Sequence, residues 1–196
     1  MINHSLRIFL FCLVLITSHS VLAQFKVNIY FQHPPSLSNS DSIYYDTAKK
    51  LVWNNFQGKP IETGNVGAIT SSGFGYKASM RSVDGEANLT LNIYCSFLKS
   101  KSWVKHNKKT DYILNHEQHH FDITFIGTSL FVKKLREAKF TINNYSQLIK
   151  EIYSDTYAAM HQLQDQYDGE TKNGQLEDKQ KEWDKKIAVL IQDLNK

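Results

Sequence analysis

The sequence predicts an α+β domain in which a small antiparallel sheet is followed by three helices. Apolar and polar side chains alternate from Leu89 to Phe97, which is the period of a strand with one buried face. From about Thr110 onward the apolar residues instead recur with the helical period, in three successive segments. Because all the strands precede all the helices, the pattern is typical of the α+β class.

Residues 1–23 predict a signal peptide. Arg7 supplies a positive charge, residues 8–16 are apolar, and Val21-Leu22-Ala23 provides a cleavage site before Gln24. The apolar run is shorter than the about 20 residues of a membrane-spanning helix. We therefore expect an exported protein, periplasmic or extracellular, that keeps no stable membrane anchor after cleavage and folds as a single domain over residues 24–196.

The strand half of this domain covers residues 26–104. Weak alternation over 26–31 predicts a first strand, and a polar, proline-containing segment over 34–42 predicts a loop. Residues 66–80 contain three glycines among β-forming residues, which predicts a bent or bulged strand. A turn at Asp84-Gly85 indicates that this strand pairs in antiparallel fashion with the strand over 89–97.

The helical half begins at a cap on Thr110 or Asp111. The first helix is predicted to run to near Lys139, and the second is predicted over 146–166. The third, over 176–194, is expected to pack on the core through one apolar stripe, made by Trp183, Ile187, Leu190, Ile191 and Leu194.

Charge and cysteine content exclude several classes of protein. The net charge of +4 is small and scattered, and its densest part, five lysines between 99 and 109, predicts a solvated loop. We therefore expect no nucleic-acid partner. Residues 24–196 keep one cysteine, Cys95, so no intramolecular disulfide can form. Its place in an apolar strand predicts a buried, unreactive thiol.

Residues 116–120 spell H-E-x-x-H inside the first predicted helix. His116 and His120 are one turn apart on one helix face, so both imidazoles can bind the same metal ion. Glu117 is placed to act on a water molecule at that ion rather than to bind the ion itself. The motif therefore predicts Zn²⁺ as cofactor, Glu117 as the catalytic base of a hydrolase and a zincin-like fold. Gly127, further along, indicates a helix kink or a close approach of the backbone to the metal site.

A third protein ligand must come from outside the motif. Asp122 lies on another face of the helix and is expected to orient a neighbouring group, while His119 is expected to face solvent. Ile123 and Ile126 stand where a longer form of the motif would have Gly and His. The candidate ligands are the downstream acidic and histidine residues Glu137, Glu151, Asp155, His161, Asp168 and Glu170.

Several segments resemble one bacterial family, the predicted secreted zinc-dependent proteases, which are known mainly as a domain of unknown function. The likeness covers most of residues 24–196, and its most specific part is the H-E-Q-x-H-F-D core over 116–122. The other similar segments are the family's opening strand at Leu51-Val52-Trp53 with Phe56, Gly58 and Pro60, residues 102–104, residues 114–123, and Tyr167-Asp168 with Thr171 and Gly174. The resemblance implies a metal-bound hydrolase.

The family pattern continues to a Thr-x-His-Gly step, at which this chain has Asn173 in place of the histidine. If that histidine is the family's third ligand, this chain has lost it; if Asp168 is the ligand, the site is intact. We favour Asp168, because a carboxylate is an ordinary zinc ligand in proteases. Tyr167, Tyr153 or Tyr157 can donate a hydrogen bond to an oxyanion or pack in the core.

These observations predict an exported zinc-dependent peptidase that acts on peptide or protein substrates. Two alternatives stay open. The chain could be a catalytically silent envelope-binding module that uses its sheet for recognition, an interpretation that Asn173 supports. It could also be a metal-dependent amidase for cell-wall peptides, which would share the site and differ only in its substrate.

Overall fold

The computed structural model describes residues 25–31, 41–83 and 86–194. The predicted signal peptide, residues 34–40 of the predicted loop over 34–42 and the predicted turn at Asp84-Gly85 lie outside these residues. In chain order the strands are β1 (Phe25–Phe31), β2 (Ser42–Tyr44), β3 (Ala68–Ile69), β4 (Ser72–Val83), β5 (Glu86–Leu98) and β6 (Trp103–Val104), and the helices are α1 (Asp111–Glu137), α2 (Tyr145–Thr171) and α3 (Glu177–Asp193). The architecture is therefore mixed α+β, with the helices after the strands, as predicted.

Strand β5 is the central strand of the larger sheet. Every second residue from Ala87 to Phe97 is buried, so the predicted alternation is confirmed, and Cys95 is buried within it. Strand β4 pairs with β5 in antiparallel fashion over its whole length, from Ser72 opposite Phe97 to Val83 opposite Glu86. The residues of β5 that face inward pack against α1 and supply the middle of the core.

The prediction of an all-antiparallel sheet is wrong for β1. This strand runs parallel to β5, with Phe25 opposite Ala87 and Phe31 opposite Ile93. Strand β2 lies further along the same side of β5 and is antiparallel to it. The chain therefore reverses between β1 and β2. Hydrophobic alternation determines which face of a strand is buried but not the direction in which the strand runs.

Two further strand predictions need correction. The strand predicted over 66–80 is divided, since β3 pairs with β6 in a separate two-stranded sheet and β4 begins only at Ser72. At the break, Ser71 donates its backbone N–H to the Ser102 hydroxyl. The expected opening strand at 51–53 is instead an extended segment that leads into a 3-10 helix at Trp53–Asn55. The backbone N–H of Leu51 is bound by the Gln118 side chain at 2.7 Å, which leaves it without a strand partner.

Helix α1 begins where the sequence predicted. The Thr110 hydroxyl accepts a hydrogen bond from the Ile113 N–H, which makes Thr110 the N-cap. Helix α2 is longer than predicted, because it continues past Gln166 to Thr171 and ends in left-handed backbone at Lys172 and Asn173. These five additional residues place Asp168 on a helix rather than in a loop.

Gly127 marks a close approach of α1 and α2, not of the backbone to the metal site. A Cβ atom at this position would lie 2.8 Å from the Met160 Cγ atom, inside van der Waals contact. Helix α3 covers the other side of α1, where Trp183 and Ile187 are buried as predicted. Leu194, the last residue of the predicted stripe, is exposed. Among the described residues, no helix is long and apolar enough to cross a membrane.

We predict that Gly127→Val lowers the free energy of unfolding by about 2 kcal/mol, because overpacking a close helix contact costs about 1–3 kcal/mol. Urea unfolding followed by circular dichroism measures this change. Gly169→Val is the matched control, since Gly169 also lies in a helix but has open space around its Cα. Equal losses of stability in the two variants would contradict a packing role for Gly127.

Candidate metal centre

Helices α1 and α2 bring three donor atoms to one point. The Nε2 atoms of His116 and His120 lie 3.2 Å apart. The Oδ1 atom of Asp168 lies 3.2 Å from the first and 3.1 Å from the second. Ligands in a tetrahedral zinc site, with bonds of about 2.0–2.1 Å, are separated by about 3.3 Å. This cluster of two imidazoles and one carboxylate could therefore hold a metal ion.

Two buried oxygen atoms at the site support this interpretation. Glu117 Oε2 is inaccessible to solvent and has no hydrogen-bond partner among the described residues, and the equally buried Asp168 Oδ1 faces the two imidazole nitrogens of the cluster. Leaving a carboxylate oxygen buried and unpaired is costly unless a cation or a donor compensates its charge. A cation bound by Asp168 and the two imidazoles would compensate this negative charge.

Two glutamines hold the imidazoles in the form that a metal requires. The Nδ1 atom of His116 lies 3.0 Å from Gln180 Oε1, and the Nδ1 atom of His120 contacts Gln164 Oε1. A carboxamide oxygen only accepts hydrogen bonds, so each Nδ1 carries a proton, and in the neutral ring Nε2 presents a lone pair to the cluster. The amides are themselves oriented: Gln164 Nε2 donates to the His120 carbonyl and Gln180 Nε2 to Asp184.

The electrostatics of the cluster favour positive charge between the rings. Burial opposes ionisation of His120, but the Asp168 and Glu117 carboxylates outweigh it and raise the pKa of this imidazole. Burial also disfavours the charged form of Asp168, but hydrogen bonding and charge interactions with both imidazoles outweigh it and hold the pKa of this carboxyl well below its usual range. A proton or a metal cation can supply the positive charge that these groups stabilise.

The turn after α2 closes over His116. Gly174 has a φ of +74° and lies so close to the imidazole that a Cβ atom there would be 3.1 Å from His116 Cγ. Only glycine combines this backbone conformation with so close an approach. Asn173 lines the cleft in front of the site, and the donor cluster consists of His116, His120 and Asp168. The cluster of three donors is therefore complete without a histidine at position 173.

The other downstream candidates lie outside the cluster. Glu170 accepts hydrogen bonds from Gln166 and Trp183 instead. His161 lines the same cleft, but its ring packs on Tyr157 with 4.3 Å between the ring centroids. The remaining candidates, Glu137, Glu151 and Asp155, are exposed on the outer faces of their helices.

The prediction that His119 faces solvent is wrong. Its ring is buried between two carboxylates, with Nδ1 3.0 Å from Asp122 Oδ2 and Nε2 2.8 Å from Asp184 Oδ1. The reason is that α3, which carries Asp184, packs on this face of α1. Asp122 orients a neighbour as expected, although that neighbour is His119 and not a metal ligand.

Asp122 is also the centre of a second polar cluster. It accepts hydrogen bonds from the Tyr45 hydroxyl and the Gln118 amide, and Lys50 lies 3.4 Å away. Burial alone would raise the pKa of this carboxyl, but His119 and these three partners outweigh it and lower the pKa. The Asp122 cluster thus connects the segment that contains Tyr45 and Lys50 to α1, the helix that carries the two candidate histidine ligands.

The hydroxyls of Tyr167 and Tyr153 already form hydrogen bonds within the protein. The Tyr167 side chain is fully buried, and its hydroxyl donates to Gln180 Oε1 at 2.8 Å. Its ring stacks on that of His116, with 4.7 Å between the centroids. Tyr153 donates to the Phe74 carbonyl in the core, and Tyr157 packs against Tyr153 and His161. Tyr167 therefore helps to hold the ring of the candidate ligand His116 in place by stacking on it.

The candidate centre opens into a cleft of about 690 Å³. Its walls are the segment over residues 65–70, which includes β3, the motif face of α1, one face of α2 and the turn over 173–175. The Thr70 hydroxyl donates to the Glu117 carbonyl at 3.0 Å, so the end of β3 is fixed beside the motif. The cleft is large enough for a segment of peptide.

Gln164 and Gln180 are the functional residues that the sequence reasoning missed. Gln164 precedes Asp168 by one helical turn, and Gln180 precedes the buried Trp183 by three residues on α3. Either spacing would have placed the glutamine on an inward face. Their histidine partners could not be foreseen, because they depend on how α2 and α3 pack on α1.

Comparison with known proteins finds no matching family model, no similar curated protein and no similar solved structure.

We predict that Gln164→Leu lowers zinc affinity about 10–100-fold, the usual effect of removing the partner of a ligand histidine. Competition with a chromophoric chelator measures the dissociation constant. Gln166→Leu is the control, because Gln166 lies on the same helix and bonds only Glu170 at the surface. Unchanged affinity in Gln164→Leu would show that this amide does not orient His120.

We also predict that Asp168→Ala removes most of the bound zinc, whereas Asn173→Ala retains it, because Asp168 is the third member of the donor cluster with His116 and His120. Elemental analysis of the purified variants after dialysis measures the stoichiometry. Full zinc content in Asp168→Ala would refute Asp168 as the third ligand, and loss of zinc in Asn173→Ala would assign that role to the turn.

Proposed function

We propose that this protein is an exported zinc-dependent peptidase with a zincin-like site in which Glu117 is the general base. One observation supports the proposal above all others. Two imidazole nitrogens and one carboxylate oxygen converge to within 3.2 Å, beside a buried, unpaired glutamate oxygen, in an open cleft. Two histidines and one acidic residue form a ligand set of zinc peptidases, which leaves a fourth position for water or substrate.

Zinc is the metal that best suits these donors. Imidazole nitrogen and a single carboxylate oxygen at tetrahedral separations favour zinc over magnesium or calcium, which prefer six or more oxygen ligands. When bound, zinc would supply a Lewis acid that polarises a carbonyl and lowers the pKa of a water molecule to about 7. The protein's own part is to hold His116, His120 and Asp168 in place.

The surroundings of the Glu117 carboxylate support its role as the general base. Its Oε2 atom is buried, faces no donor among the described residues and belongs to the wall of the cleft. It can accept the proton of a water molecule that attacks the substrate carbonyl, and then deliver that proton to the leaving amine. Because Glu117 lies between the two histidines on α1, its carboxylate is held at the site without binding the ion.

Strand β3 offers a way to hold a peptide in the cleft. It pairs with β6 along one edge, and its residues line the cleft beside Glu117. An extended peptide can add to an unpaired strand edge through main-chain hydrogen bonds, which do not depend on the peptide's sequence. This arrangement favours a peptide substrate over a small molecule.

The alternative of a silent binding module loses its main support. That alternative rested on Asn173, and the three donors come together without this residue. The amidase alternative shares the site, so it differs from the proposed function only in the peptide that is cut. Export rests on the signal-peptide pattern over residues 1–23.

We predict that Glu117→Gln retains zinc and reduces peptide cleavage about 10²–10⁴-fold, the usual contribution of a general base. Cleavage of casein and of a synthetic peptide library by wild type and variant measures this loss. Glu151→Gln, which changes an exposed carboxylate on α2, is the control and should cleave at the wild-type rate.

Two results would argue against the proposed function. Equal cleavage rates for wild type and Glu117→Gln would remove Glu117 from the mechanism. Absence of zinc from wild-type protein as well as from His116→Ala, after purification in zinc-containing buffer, would remove the metal centre.

A further inference from the structure

Lys108 is the only lysine or arginine among the described residues that line the cleft. The cleft has two acidic side chains, Glu117 and Asp168, and both belong to the candidate metal centre. A bound ion would offset the charge of those carboxylates, whereas the charge of Lys108 would remain available. Away from the candidate metal centre, the charge of the side chains that line the cleft is therefore positive.

The backbone holds Lys108 against the cleft wall. Lys108 ends a 3-10 helix over His106–Lys108, and its N–H donates to the Lys105 carbonyl at 2.9 Å. Its aliphatic stem lies across Gly67, where an added Cβ atom would be only 3.1 Å from Lys108 Cγ. The Lys105 N–H in turn donates to the Gly67 carbonyl at 2.8 Å. The missing side chain at Gly67 thus makes room for the Lys108 stem just before β3.

No acidic group of the described residues pairs with the Lys108 ammonium. Among the described residues, the lysines that form ion pairs with acidic side chains are Lys49, Lys50, Lys179 and Lys181. The neighbouring Lys105 differs from Lys108, since its ammonium donates to the Gly64 carbonyl at 2.8 Å. Lys108 lines the cleft without an ion-pair partner among the described residues, and such a lysine is suited to bind a carboxylate of a ligand.

The position of Lys108 indicates which residue of a bound peptide it would contact. Thr70 is hydrogen-bonded to the Glu117 carbonyl, and Gly67 precedes Thr70 by three residues on the same extended segment. At about 3.3 Å per residue, the two are separated by about 10 Å. A peptide that lies along this segment with its reacting bond beside Thr70 therefore has its second or third residue from that bond near Gly67 and Lys108.

We propose that Lys108 makes this protein select peptides that carry a carboxylate two or three residues from the bond that is cut. The proposal rests on the peptidase function proposed above. The carboxylate can belong to an Asp or Glu side chain or to the C-terminus of the peptide, since both present the same group to the ammonium.

A matched set of synthetic peptides tests the proposal. A mixed library, analysed by mass spectrometry, first provides a cleaved sequence, and its second and third residues on either side of the cut are then varied to Glu, Gln and Lys. Wild type should cleave the best Glu peptide with a kcat/KM about tenfold above that of the Gln peptide, the effect of one charge-assisted hydrogen bond. Lys108→Glu should reverse the order and favour Lys.

A second pair of peptides, ending two residues after the cut in a free carboxylate or in an amide, identifies the source of the carboxylate. Preference for the free terminus alone would indicate a carboxypeptidase-like specificity, and preference for internal Glu would indicate an endopeptidase. Both results support the role of Lys108. Lys109→Glu is the control, because it makes the same change in charge at an exposed position outside the cleft.

Two outcomes overturn the proposal in different ways. If wild type cleaves peptides without preference for a carboxylate, or if Lys108→Glu leaves the preference unchanged, Lys108 does not select the substrate and the peptidase function stands. If zinc-loaded wild type cleaves no peptide, the proposed function fails and this proposal fails with it. Equal zinc content in all variants shows that the substitutions leave the metal centre intact.

Discussion

The antiparallel packing of α2 on α1 is the constraint on which the candidate centre depends. Gly127 permits the close approach at Met160, and this contact sets the register of the two helices. One turn away, Gln164 reaches Thr124, and one turn further Asp168 lies opposite His120. The aspartate side chain is short, so a wider separation of the helices would take its carboxylate out of reach of the imidazoles. A glycine remote from the donors therefore determines whether they meet.

Behind the donor atoms, hydrogen bonds form a continuous chain through α1 and α3. It runs from Asp122 to His119, then to Asp184, Gln180 and finally the Nδ1 atom of His116. Each member is satisfied by its neighbours, which is the condition under which a buried polar network stabilises one arrangement instead of destabilising the fold. These hydrogen bonds also connect the candidate metal ligand His116 to the segment around Lys50 and Tyr45, through Asp122. The position of His116 is thus set by residues from three separate parts of the sequence.

Local patterns predicted the parts of this molecule that local physics determines. The alternation in β5, the cap at Thr110 and the inward faces of α3 each depend on residues close in sequence, and these predictions are confirmed. The choice of Asp168 agrees with the observed donor cluster. The failures share one cause, which is tertiary packing. His119 was expected in solvent because its own helix gives no sign that α3 covers it, and the direction of β1 depends on a chain reversal that periodicity does not record.

The parallel pairing of β1 with β5 has a consequence for the order in which the sheet forms. Strand β1 comes first in the chain, yet its partner β5 comes after β2, β3 and β4. The pairing of Phe25 with Ala87 therefore cannot form until β5 is available. Closure of the larger sheet is therefore a late event in folding, and since Cys95 is a free thiol, noncovalent contacts hold the described strands of the completed sheet together.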